Sequence, residues 1–182
     1  MIGFTFCGKH SYRDFGIVMK TKNRSMLSDR RRRQEEIAGM HGVHTYEGET
    51  YNVKLYELSC FIEASSAEDL RRKERKAAAW LTQTGKLSFD DEPGVSCTAK
   101  IYSSIGPEEY LHAGIFPLIF ECDPIARGDK HVVRAHFHQS GERLSVPYGG
   151  TAPAPCRIIL RNTGSVDISG ITITMTGREP NA

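Results

Sequence analysis

YNVKLYELSCFIEASSAEDLRRKERKAAAWLTQTGKLSFDDEPG, residues 51–94, is the stretch whose reading decides the fold. Residues 51–64 alternate apolar and polar side chains, as a half-buried strand does. Tyr51, Val53 and Leu55 share one face, and past Tyr56 the apolar set becomes Leu58, Cys60 and Ile62. That change of parity predicts a β-bulge near Tyr56 and Glu57, or a strand covered on both faces. Residues 66–84 change period. Leu70, Ala77, Trp80 and Leu81 fall on one side of a helix, and Arg71, Arg72, Lys73, Arg75 and Lys76 crowd the rest. Ser66 followed by Asp69 is a capping arrangement, with a carboxylate at the positive helix end. Gly85 is placed to end the helix in the left-handed conformation. So narrow an apolar stripe predicts a helix lying across a sheet, basic face outward, with Trp80 as its core anchor. A short strand over 86–90 follows, and Asp90-Asp91-Glu92-Pro93-Gly94 is composed of turn formers.

Strands are expected on both sides of this unit. Ile2, Phe4 and Phe6 alternate, Gly8 punctuates, and 15–22 reads as a second extended stretch. Residues 30–37 are charged but compatible with a strand, and Gly39, Gly42 and Gly48 mark turns around a short segment at 43–46. Residues 95–104 alternate through Cys97, Ala99 and Ile101. A loop or one helical turn is expected over 106–112, with Pro107 in its first position. Residues 114–122 form a strand whose Pro117 argues for an edge or a bulge. The order of strands, one helix, then more strands predicts an α+β, mostly β domain over residues 1–126, with a largely antiparallel sheet. Beyond Pro124 no helical pattern occurs. Short β segments are expected at 132–138, 143–147, 156–162 and 166–176, with a small-residue linker at 149–155. Residues 127–182 are thus an all-β extension, too short for a comfortable independent sandwich of ~100 residues.

Bulk properties exclude several functions. Lys plus Arg number 24 and Asp plus Glu 22, a balance that gives no general drive toward nucleic acid. The five cysteines, Cys7, Cys60, Cys97, Cys122 and Cys156, form no CxxC pair, which argues against a zinc ribbon and for free thiols made in a reducing cytoplasm. The N-terminus lacks the basic and apolar regions of a signal peptide, so synthesis in the cytosol without export by the general route is expected.

Several landmarks resemble the siphophage distal tail protein family, which also occurs in prophages. They are Gly3-Phe4-Thr5-Phe6, Gly8-Lys9-His10-Ser11, Phe15-Gly16-Ile17-Val18, Ala77-Ala78-Ala79-Trp80-Leu81, Phe89-Asp90-Asp91-Glu92-Pro93 and residues 116–124. They stand in the family's order over residues 1 to about 126, and 150–155 resembles its entry into a second domain. The resemblance implies a tail-tube-like β-sandwich or split barrel with one flanking helix, closing into a hexameric ring. It implies a second, galectin-like domain, of which 127–182 is either an arm or a truncated part. It implies a structural role, without catalysis or cofactor. The ring would join the tail tube to the baseplate or receptor-binding apparatus. The implied partners are further copies of the chain, the tail-tube protein, the tail-tip hub or tail-associated lysin, and a receptor-binding protein or fibres.

The remaining constellations are weighed against that reading. Arg30-Arg31-Arg32-Arg33 suggests nucleic acid, but Asp29, Glu35 and Glu36 flank it, and a charged strand that is solvated or lies at a subunit contact explains it better. Asp90, Asp91 and Glu92 are candidate inter-subunit partners for those arginines, through edge-to-edge ring closure. His136 and His138 share a strand face without a third ligand at metal-binding spacing. No Walker loop, GxGxxG or GxSxG motif occurs. A carbohydrate-binding β module and a DNA-handling tail protein are the alternatives.

Overall fold

The computed structural model describes residues 3–103, 106, 108–110 and 113–176. Ile2, Ser104, Pro107 and His112, on which expectations above fell, lie outside them. The chain divides after Asp129 into two units.

The first unit opens with β1 (Phe4–Phe6), a tight turn at Cys7 and Gly8, β2 (Lys9–His10) and α1 (Ser11–Phe15). β3 (Ile17–Arg24) then leads to a hairpin of β4 (Arg30–Glu35) and β5 (His44–Tyr51), and β6 (Lys54–Glu63) precedes α2 (Ala67–Leu81). β7 (Gly85–Phe89), β8 (Val95–Ile101), β9 (Glu108–Tyr110), β10 (Ala113–Cys122) and β11 (Arg127–Gly128) complete it. Every pairing is antiparallel. The main sheet runs β2-β1-β7-β8-β10-β6-β3, with β9 against β10 and β11 against β8. Among the described residues β4 and β5 pair only with each other.

The backbone of β6 corrects the expected bulge. Its ladder with β10 is unbroken from Lys54↔Cys122 to Glu63↔Ala113. Tyr56, Leu58, Cys60 and Ile62 share one face throughout, and Leu55 faces outward. The apparent change of parity arises because Tyr51 belongs to β5 and Val53 to the corner before β6. The irregularity sits on β3 instead, between Met19 and Thr21.

Pro117 is explained without an edge strand. β6 pairs with β10 along its whole length, but the other side of β10 meets β9 only at 113–115 and β8 only at 120–122. Ile119 directs its carbonyl to Tyr102 N–H on that second side. By the two-residue period, the nitrogen of Pro117 points the same way, into the stretch between β9 and β8 where no donor is required. The 106–112 segment carries β9 rather than a helical turn.

The core forms because the sheet coils onto itself. Phe4, Phe6, Ile17, Leu58, Leu118 and Phe120 are fully or almost fully buried. Phe4 of β1 packs edge-on against Phe120 of β10 at 5.6 Å, and Tyr56 of β6 reaches Phe89 of β7 at 6.0 Å. α2 covers this core through Leu70, Ala77, Trp80 and Leu81. Ser66 caps it by accepting from Asp69 N–H at 3.1 Å, as the sequence predicts. Its end differs from expectation: Thr82 terminates it in right-handed geometry, and Gly85 begins β7. Gly85 answers a close approach, since a Cβ there would lie 2.6 Å from Cys7 Sγ. The chain has a second helix, α1, which spacing did not reveal. Its cap is a side chain that such patterns overlook, His10 Nδ1 accepting from Tyr12 and Arg13 N–H.

β3 ends the main sheet on one side. It carries the Met19–Thr21 irregularity, and Lys20, Lys22 and Arg24 lie along it. A kink and long cations are common devices for keeping an edge from recruiting another strand.

In the second unit, residues 130–176 form no strand or helix among the described residues. The β segments expected at 132–138, 143–147, 156–162 and 166–176 are therefore not formed. An alternating pattern specifies which side chains share a face but does not itself provide the neighbouring backbone that a strand requires.

Candidate functional site

The two groups of charged residues singled out in the sequence lie in different settings. Arg30, Arg31, Arg32 and Arg33 all fall on β4, and Arg30, Arg31 and Arg32 are exposed. The register places Arg30 opposite Tyr51, Arg32 opposite Glu47 and Arg33 opposite Tyr46, with a shift around Arg31. Arg31 Nε donates to Asn52 Oδ1 at 3.3 Å. His44 and Tyr46 stack edge-on at 4.8 Å, and Tyr46 Oη donates to Glu35. At ~3.3 Å per residue the six-residue β4 is ~20 Å long. Its root is fixed by Asn52 N–H donating to Asp29 O at 2.7 Å and by Lys54 Nζ donating to Met26 O. A free two-stranded ribbon is at best marginally stable in water.

Asp90, Asp91 and Glu92 sit in the turn between β7 and β8, where they clasp the curled sheet from within one chain. Asp90 accepts from Gly3 N–H at 2.8 Å and from His10 Nε2 at 3.0 Å. His10 therefore carries its proton on Nε2 and uses Nδ1 for the α1 cap. Asp91 pairs with Lys22 and with Arg24 at 3.1 Å, and Glu92 pairs with Arg24 at 2.9 Å. Arg24 also lies over the Phe89 ring, 4.8 Å from its centre. Burial would raise the Asp90 carboxyl, but hydrogen bonds from His10 and Gly3 outweigh it and hold it below the usual carboxylate range. Burial and then the neighbouring Arg24 pull Lys22 below the usual lysine range. Within one chain the acidic turn thus engages β1, β2 and β3. Sequence reasoning missed these partners, which lie 67–87 residues away along the chain.

The basic helix face is partly neutralised locally. Arg72 and Lys73 pair with Asp69, and Arg71 with Glu74. Cys60, Cys97 and Cys122 are buried within strands, and burial pushes the Cys60 thiol up to about 12. Among the described residues no three His, Cys, Asp or Glu side chains gather as a metal site. No helix among them is long and apolar enough to cross a membrane. His136 and His138 are exposed and lie outside any strand or helix.

The charged groups thus form clasps within one chain and an exposed basic strand. No curated protein matches the chain in sequence. Among solved structures it resembles SPP1 Dit (gp 19.1), described as a paradigm of the hub adsorption apparatus in phages infecting Gram-positive bacteria. The TM-score is 0.60 at 18% identity, over 71% of this chain and 53% of SPP1 Dit, so the likeness is one of fold and the chain spans about half of that protein's length. The family model for the phage tail protein RIFT-related domain matches residues 14–122, well over half of the 182 residues. A coiled antiparallel sheet with a helix across it, bearing that family's sequence pattern from α1 to the end of β10, makes this chain a member of the phage tail protein RIFT-related domain family.

Proposed function

We propose that the protein is a distal tail protein, a structural component of the virion tail assembled in the host cytoplasm. Six copies form a ring that joins the tail tube to the baseplate or receptor-binding apparatus. In this reading the first unit is a tail-tube-like split barrel, and its neighbours are the tail-tube protein, the tail-tip hub or tail-associated lysin, and a receptor-binding protein or fibres. The observation that carries the reading is the detached β4–β5 ribbon on a tail-family domain. Among the described residues it forms no ladder with any other strand, and it holds exposed arginines at its root.

The ribbon, rather than the guarded β3 edge, is the arm that reaches the next copy. Arg30–Arg33 supply its charged contacts. All three residues of the acidic turn are engaged within the chain, and Glu92, paired with Arg24 through Oε2 and about half exposed, is the one still accessible to a neighbour's cation. Each contact is modest, and ring closure multiplies them.

Native mass measurement tests this. The full chain should give a sixfold mass, alone or on addition of tail tubes, and Arg31→Glu with Arg32→Glu should reduce ring yield while leaving thermal unfolding of the subunit unchanged. A chain that stays single with and without tubes, and is missing from purified tail tips, rules the reading out.

A further inference from the structure

The two nitrogens of His10 respond to a further proton in opposite ways. Nε2 donates to Asp90 at 3.0 Å, which ties β2 to the turn between β7 and β8. Nδ1 accepts from Tyr12 N–H at 3.1 Å and from Arg13 N–H at 3.2 Å, which caps α1. An imidazolium carries a donor on each nitrogen and has no acceptor. Protonation at Nδ1 therefore keeps the Asp90 bond and adds charge to it, but turns the cap into three N–H groups facing one another.

The ring has little room to turn away from this conflict. His10 is 8% exposed, and its ring rests on the Gly3 backbone, where an added Cβ would lie 2.8 Å from Cε1 and 3.1 Å from Nε2. The charged groups around it are Asp90 from the turn, Asp14 and Arg13 from α1, and Lys9 from β2; β1 contributes none. Asp14 already accepts from His10 N–H at 2.6 Å. Lys9 Nζ lies over the Phe15 ring, 5.8 Å from its centre, and the charge of Arg13 acts on Asp90. The next carboxylate, Asp91, is held by Lys22 and Arg24.

The cap matters because α1 has only five residues, too few to persist without outside support. Phe15 at its far end stacks on Trp80 at 4.2 Å, so a loosened α1 reaches the core anchor of α2.

We propose that His10 is a proton-operated catch, in which a second proton at Nδ1 releases the first turn of α1 while Asp90 keeps β2 in place. Asp90 stays ionised during this event, since its own hydrogen bonds hold it below the usual carboxylate range. The catch works within one chain and is independent of the ring.

The test follows the full chain from about pH 8 to about pH 5, the span in which histidines ordinarily change charge. Long-range 1H–15N spectra report which His10 nitrogens carry protons, and amide exchange, corrected for its intrinsic pH dependence, reports α1. As Nδ1 takes up its proton, protection over residues 11–16 should fall at least about fivefold, the factor a typical side-chain cap contributes. Trp80 fluorescence should change in step, while amides of β6 and β10 hold constant. His10→Asn, which can still accept at the cap but does not titrate, should keep 11–16 protected at every pH. His10→Ala should leave 11–16 unprotected throughout. Unchanged protection over 11–16 once His10 is charged overturns the catch. So does a His10 that takes no second proton by about pH 5, or an acid opening of α1 that persists in His10→Asn.

Discussion

Replacing Trp80 separates the packing and hydrogen-bonding contributions of the helix-to-sheet contact. Trp80 is 2% exposed, lies 4.2 Å from the Phe15 ring in a stacked pair, and donates from Nε1 to Phe6 O at 2.8 Å. Trp80→Ala removes the ring and the bond together and should cost about 4 kcal/mol, the middle of the range for large aromatic truncations. Trp80→Phe keeps most of the stacking on Phe15 and Phe4 but leaves the buried Phe6 carbonyl without its donor. It should cost about 2 kcal/mol, mostly the desolvation of that oxygen. With a urea slope of ~2 kcal/mol per molar, the midpoints should fall by ~2 M and ~1 M. Far-UV circular dichroism is the appropriate probe, because both variants lose the chain's one tryptophan. A Trp80→Phe midpoint within ~0.2 M of the parent, at unchanged slope, would refute the role given to the Phe6 bond. Adding Phe15→Ala in a double-mutant cycle should return a coupling of ~0.5–1.5 kcal/mol for the stacked pair.

Ser66→Ala should cost about 1 kcal/mol by orphaning Asp69 N–H, measured by the same urea titration, and Ser66→Asp should recover most of it. Asp90 has a depressed folded-state pKa, so its contribution is present above the ordinary carboxylate value and is lost as pH falls below about 4. Thermal midpoints of the parent should therefore drop on acidification through that window, and Asp90→Asn should be less stable at neutral pH with a shallower acid slope. Brief treatment with a thiol reagent should modify exposed Cys156 first, while Cys60, Cys97 and Cys122 react only on unfolding; mass mapping of labelled peptides reads the order.

Local signals explain which elements the sequence announced. α2 was legible because its cap, its apolar stripe and its length all agree within fifteen residues. The buried faces of β8 and β10 follow from simple alternation, Cys97 and Ala99 in one, Phe116, Leu118 and Phe120 in the other. α1 escaped because five residues give no period, although Asp14 in its first turn and Gly16 behind it were usable signs. Gly85 misled because an end-of-helix glycine and a glycine beneath a neighbouring sulfur look alike in one dimension. The turn at 90–94 was recognised by composition, but its clasp of Lys22, Arg24 and His10 depends on a sheet that coils, and no local pattern encodes that closure. The same limit holds for the hairpin. Glycines marked its corners, yet its detachment from the sheet is a fact of pairing rather than of composition.

The kinked, lysine-lined border at β3 bears on what happens between synthesis and use. A β protein with an open sheet border runs the hazard of stacking into fibrils. A subunit whose outermost strand turns away casual company can wait in solution, and in the proposed ring its joining would be left to the ribbon, where a partner must match charge as well as backbone. Timing and stoichiometry then fall to the growing particle.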